Sequence, residues 1–387
     1  MKHSDRDTSL KSGQSGDAAA SGAGATKKPG SRRLKAVLGS LCFLVLCVFV
    51  WQFVSYMLVP RIGASYGTDT YDSIPEDTVD VLFIGARSAW NGISPLTMWQ
   101  QNGMTSYVFA ALSCPPQVRY LELKDALDRQ HPKLVFISPQ FLASEDKEIQ
   151  LRALQSMTNR KLTFNKALTG VYLEQDHGES IGVNALLPLL AYHDNWKNID
   201  EANFVSEADG YYMGQRCWIF QNGRFYDTAD DIAKRTNLDA DRKYKRNEIS
   251  AKYYRKMIEL CKANGIQPIL ITLPIYKGFA GHAATSDFAK EEGVRYLDLN
   301  EPEYLRAIGL DNTVDWRDSI HLNFWGSVKF SKWLAALIET EYDPPDRRIV
   351  SDESFEIWHG HYSQFYERFS RIVPGALTPP DKVISGE

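Results

Sequence analysis

The stretch that most constrains this chain is residues 36–59, AVLGSLCFLVLCVFVWQFVSYMLV, which carry no charged side chain. As a helix of roughly 1.5 Å rise per residue they span about 36 Å, enough to cross a hydrocarbon core of roughly 30 Å with some tilt. A core helix of a soluble domain would show a polar stripe, and this run has none. It also exceeds the apolar core of a signal peptide, and no small-x-small cleavage site follows promptly. The sequence therefore predicts one retained transmembrane helix, with Trp51 and Tyr56 placed toward one headgroup region.

The flanks set the direction. Lys27, Lys28, Arg32, Arg33 and Lys35 precede the span, and only Arg61 follows it before acidic residues begin. Positive charge stays on the cytoplasmic side, so the expected topology is a cytoplasmic N-terminus and an extracytoplasmic C-terminal mass in the cell membrane. Residues 1–35 carry +5, which leaves −9 for residues 36–387 out of a total of −4. A net acidic exterior gives no support to nucleic-acid binding. The segment from 9 to 30 is mostly Gly, Ala, Ser and Lys without an aromatic, so residues 1–35 read as a disordered tail.

Beyond a polar connector at 60–77, short apolar runs alternate with helical stretches. Strands are expected at 79–85, 105–112, 133–139, 266–274 and 293–299. Helices are expected after Pro95, from Pro116 to about residue 130, at 248–263 and at 326–340. This alternation implies an α/β fold: a doubly wound, flavodoxin-like parallel sheet over 78–345. Residues 145–245 read as an inserted cap. Residues 346–387 read as an extension with a surface helix around 352–371. In such sheets ligands bind beyond the carboxyl ends of the strands.

Two segments place chemistry at those ends. IGARSAWNGISP (84–95) follows the first strand, and DWRDSIHLNFWG (315–326) precedes the last helix. A serine hydroxyl needs a base within reach, and the base needs a carboxylate to fix its tautomer. Ser88, His321 and Asp318 supply that set. Arg87 suits an anionic substrate group, and Asn91 an oxyanion. Taken without context, a D-x-x-H loop is more often solvated than catalytic, and a serine after a strand-ending glycine is more often a turn residue or cap.

The blocks DVLFIGARSAWNGISP (80–95) and DSIHLNFWG (318–326), with YHDNWKNI (192–199) and CKANGIQPILITLP (261–274), resemble the SGNH (GDSL-like) hydrolase superfamily in its membrane-anchored bacterial branch. The resemblance covers roughly residues 75–345. It implies a serine esterase or O-acyltransferase that modifies cell-envelope polysaccharide or teichoic acid without a cofactor, with a multipass acyltransferase as a partner that supplies acyl groups. It carries His321 and Asp318 over as base and orienting carboxylate, and it puts Asn323 beside them at the substrate or oxyanion. In that family the nucleophilic serine stands two residues after the glycine. Here that position is Arg87, and Ser88 stands one place further on. No oxyanion glycine follows the second strand, where Ala110 and Ala111 stand, and the third strand has no clear G-x-N-D block. The alternative is a catalytically inactive domain of the same type that binds a glycan or a partner protein.

The remaining candidates are weaker. Cys114, Cys217 and Cys261 leave one disulfide open and have no metal-ligand spacing. His193 has no second ligand at convincing spacing, and His359 and His361 do not share a helix face. Tyr211, Tyr212, Trp218, Phe220 and Phe225 suit core packing better than a carbohydrate cleft. No P-loop or Rossmann fingerprint occurs.

Overall fold

The computed structural model describes residues 29–59, 71–110, 114–158, 160, 162–178, 180–199, 203–204, 211–219, 243–276, 281–350 and 352–385. Most of the predicted N-terminal tail, connector residues 60–70, and Phe220 and Phe225 lie outside them.

The described residues of the first unit, which ends at Phe53, belong to a single helix, Pro29–Leu58. Its stretch Arg33–Leu58 is long and apolar enough to cross a membrane. Phe43 and Phe49 are 65% and 66% exposed, which is not the environment of a core helix.

The second unit is built on five parallel strands: β1 (Val81–Gly85), β2 (Ser106–Ala110), β3 (Leu134–Ile137), β6 (Gln267–Thr272) and β7 (Arg295–Asp298). Their order is β2-β1-β3-β6-β7. Register runs Val81 opposite Ser106 and Leu134, Leu134 opposite Gln267, and Ile269 opposite Arg295. The strands are short apolar runs because both faces of the sheet are covered. Side chains alternate: Leu82 and Ile84 join one core layer, Val81 and Phe83 the other. This is the predicted doubly wound sheet. The chain leaves β1 toward β2 on one side and returns to β3 on the other, so the strand order reverses between β1 and β3, where such folds open a ligand crevice.

Helix ends follow the local chemistry. Pro95–Asn102 begins at Ser94, whose side chain accepts from Thr97 N, and ends at Gly103 with φ 71°. Asn247 caps Glu248–Ala263 by accepting from Ser250 N at 2.8 Å.

Three expectations change. The connector's last residues belong to the packed domain: Tyr71 is buried, its hydroxyl donates to Ala126 O at 2.8 Å, and Gln130 Oε1 accepts from Thr78 N and Val79 N. The C-terminal helix Glu356–Phe369 is not a surface helix. Trp358, Tyr362, Phe365 and Phe369 are each no more than 2% exposed, and Trp358 stacks on Trp99 at 5.9 Å. Arg347 ties this segment to the sheet by donating twice to Asp80, at 2.7 and 2.8 Å.

The third change lies within the expected insertion, 145–245. Its first half is helical, as read: Asp146–Met157, Phe164–His177, Ile181–Leu186 and Pro188–Tyr192. Residues 211–216, however, pack against the core. They form a small hairpin, β4 (Tyr211–Tyr212) with β5 (Gln215–Arg216), whose Met213 O accepts from Val108 N on β2. Gly214 has φ 82°, and a Cβ there would lie 1.9 Å from Val108 O, so only glycine permits this approach. Tyr212 packs edge-on against Phe365 and Phe369, as the core-packing reading expects.

All five cysteines are free, and Cys114 and Cys261 are buried. Burial pushes the Cys261 thiol up to about 12.

Candidate active site

A cavity of about 490 Å³ opens at the carboxyl ends of β1, β3 and β6, within the range of small-molecule sites. Arg87 and Ser88 face it from β1, Ser138 and Gln140 from β3, Thr272 and Leu273 from β6, and His321 from the loop before the last helix. It thus sits at the switch point of the sheet.

The β1 side is a strand that turns at once into the helix Arg87–Gly92. A Cβ on Gly85 would come within 2.5 Å of Ala89 Cβ, so this sharp turn depends on glycine. Arg87 and Ser88 are the helix's first two residues, and both are half-buried. Asn91 lies one turn further on. It is 2% exposed, it does not line the cavity, and neither amide atom has a hydrogen-bond partner among the described residues. Its expected place at an oxyanion is therefore not supplied by this conformation.

The histidine side is a tight antiparallel pair, β8 (Trp316–Asp318) with β9 (His321–Leu322). His321 Nδ1 lies 2.8 and 3.0 Å from the two Asp318 oxygens, and Ile320 N donates to Asp318 Oδ1 at 3.0 Å. With Nδ1 committed to the carboxylate, Nε2 is the nitrogen available to take a proton. His321 is 6% exposed. Burial, helped by the nearby Arg87 and Arg317 cations, outweighs Asp318 and holds the imidazole below its ordinary range. At neutral pH it is an unprotonated base.

Asn323 is wholly buried and used structurally. Its Oδ1 accepts from Gly326 N at 3.1 Å, capping the helix Phe324–Tyr342, while its Nδ2 donates to Val314 O and Trp316 O. A Cβ on Gly326 would lie 2.2 Å from Asp315 O. The N-x-x-G of DSIHLNFWG thus anchors the histidine loop to its helix, and Asn323 does not reach toward substrate. Arg119, fully buried, braces the β3 side by donating to Ser138 O, to Tyr254 Oη at 3.1 Å and to Gln140 Oε1 at 3.4 Å.

The structure brings Arg87, Ser88 and His321 to one cavity, with Asp318 behind the imidazole. No hydrogen bond joins Ser88 to His321. No family model matches the chain, and no curated protein matches it. Solved structures similar to it include a GDSL-like lipase from Bacteroides thetaiotaomicron VPI-5482, at 13% identity over 72% of this chain and 98% of that one, with a TM-score of 0.33. Another is an acetyl xylan esterase, at 14% identity over 68% and 98%, with a TM-score of 0.31.

Two residues near Arg87 and Asp318, outside the cavity lining, carried no signal in the sequence. Arg317 lies 3.7 Å from the Trp218 ring centre, and Arg216 lies 4.7 Å from the same ring and 5.4 Å from Trp90. Trp218 packs with these arginines rather than in the core cluster around Phe365. His193 is exposed, and no group of three or more His, Cys, Asp or Glu side chains among the described residues is placed to hold a metal. A second cavity, about 250 Å³, is walled by residues that include Arg129, Arg160 and Lys166, and holds no histidine.

Proposed function

We propose that this chain is a membrane-anchored serine esterase or O-acyltransferase, with its α/β domain outside the cell membrane, acting on cell-envelope polysaccharide or teichoic acid. The observation that carries the reading is a buried imidazole, fixed at Nδ1 by Asp318, that lines the same switch-point cavity as Ser88. The envelope substrate and the topology rest on the sequence resemblance and on the charge flanking the apolar helix.

Ser88 Oγ attacks the ester carbonyl carbon as its proton passes to His321 Nε2, and Asp318 stabilises the imidazolium. The N–H groups of Arg87, Ser88 and Ala89 open a helix and have no intrahelical acceptor, so they can receive the developing oxyanion. His321 returns the proton to the departing alkoxide. Water or an acceptor hydroxyl then takes the acyl group by the same steps in reverse. A serine–histidine bond that is absent at rest often forms only with substrate in place.

A second reading is favoured by Arg87, which holds the place where the resemblance expects the nucleophile: a domain without catalysis that binds a glycan or a partner protein. Turnover of p-nitrophenyl acetate by the full chain in detergent separates the two. The esterase is expected to lose about 10²-fold or more in Ser88→Ala. Equal rates for the wild type and Ser88→Ala, with turnover gained in Arg87→Ser, would establish the binding domain instead.

A further inference from the structure

The geometry points to an anion-binding subsite, formed by Arg87 and Arg317 beside His321, that selects substrates carrying a carboxylate or phosphodiester next to the ester. This deepens the reading above and rests on it for the ester. The anion preference itself stands on the arginines.

Arg87 comes from the helix after β1, Arg317 from β8 and Arg216 from β5, so three distant segments bring guanidinium groups near enough to feel one another's charge. Arg87 faces the cavity and makes no hydrogen bond or ion pair with the described residues. Arg317, with 17% of its side chain exposed, packs its guanidinium on Trp218. Its Nε is buried without a hydrogen bond, 3.7 Å from Asp318 Oδ2. Asp318 is already shared with His321. Burial, together with Arg317 and Arg216, works against the charge on Arg87, and Asp318 only partly offsets them. Arg87, without a partner among the described residues, and Arg317, with only the carboxylate that His321 already holds, are half-desolvated cations that gain from the arrival of an anion. A guanidinium stacked on an indole keeps its planar fork oriented, which suits two-point recognition of a carboxylate or phosphate. Glu145 and Glu148 also line the cavity. They disfavour a second anion near them, so the negative group is directed toward the arginines.

The test uses the full chain in detergent, with three acetyl esters: acetylated galacturonate, an acetylated glycerol phosphate oligomer, and neutral acetylated xylose. Wild-type kcat/KM is expected to favour one or both anionic esters by tenfold or more, and the favoured ester identifies carboxylate or phosphodiester as the group read. Arg317→Gln should cut that preference at least tenfold, mainly through KM, with partial rescue in Arg317→Lys. Arg87→Gln provides an independent check should Arg317→Gln misfold. Calorimetric titration with polygalacturonate, a glycerol phosphate oligomer and a neutral glucan separates this inference from the esterase reading. Anionic binding without turnover of any ester would overturn the esterase and sustain the subsite. Equal turnover or equal affinity for neutral and anionic compounds, unchanged in both variants, would overturn the subsite and leave the esterase standing.

Discussion

Replacing His321 with alanine is expected to lower kcat/KM for p-nitrophenyl acetate by about 10²–10⁴-fold, the usual worth of a positioned general base. The wild-type pH profile carries the same claim. Because burial, Arg87 and Arg317 all disfavour the imidazolium, the folded pKa of His321 lies below the ordinary value of about 6.5. The active form is the neutral one, so activity should rise with pH along a limb centred below about 6.5 and be flat above it. Removing a neighbouring cation favours the imidazolium and raises this pKa, so Arg87→Gln should move the limb to higher pH. A solvated histidine unconnected with catalysis would give neither the loss nor the moving limb.

Deleting residues 346–387 is expected to leave no folded domain, with the cooperative thermal transition seen by circular dichroism abolished. Trp358→Ala alone should cost about 3–5 kcal/mol, a large share of the roughly 5–15 kcal/mol that holds a typical domain together. The cost should fall toward the lower end, since Trp358 Nε1 is buried without a hydrogen bond and its removal relieves that penalty. Were the segment a surface helix, both changes would be nearly silent, within about 0.5 kcal/mol for the substitution.

That contrast shows where the sequence was legible. The parallel strands stood out because a strand covered on both faces reads as an unbroken apolar run, and glycine, proline and asparagine marked the ends. The C-terminal helix also carried its signal: Trp358, Tyr362, Phe365 and Phe369 recur at helical spacing, but intervening His, Glu and Gln masked the stripe. The hairpin at 211–216 had no such signal, since two-residue strands are too short to show a period and only Gly214 hinted at a close approach.

The site divides in the same way. Asp318 and His321 meet across three residues of chain, so local spacing sufficed. Asn323 stands in a motif that suggests chemistry, although an asparagine directly before a helix is first of all a cap. Asn91 followed Ser88 by one turn, but sequence does not reveal that the turn faces inward. Arg216 and Arg317 meet over Trp218 only through tertiary folding, and nothing local announces it.

The central claim is that the Ser88 hydroxyl is activated by His321 in the switch-point cavity. It is tested most directly by treating the full chain with a fluorophosphonate and locating the adduct by peptide mass spectrometry. A single adduct on Ser88, absent in His321→Ala, is the expected result. A folded wild-type chain that stays unlabelled, or carries its adduct on another residue, would contradict it.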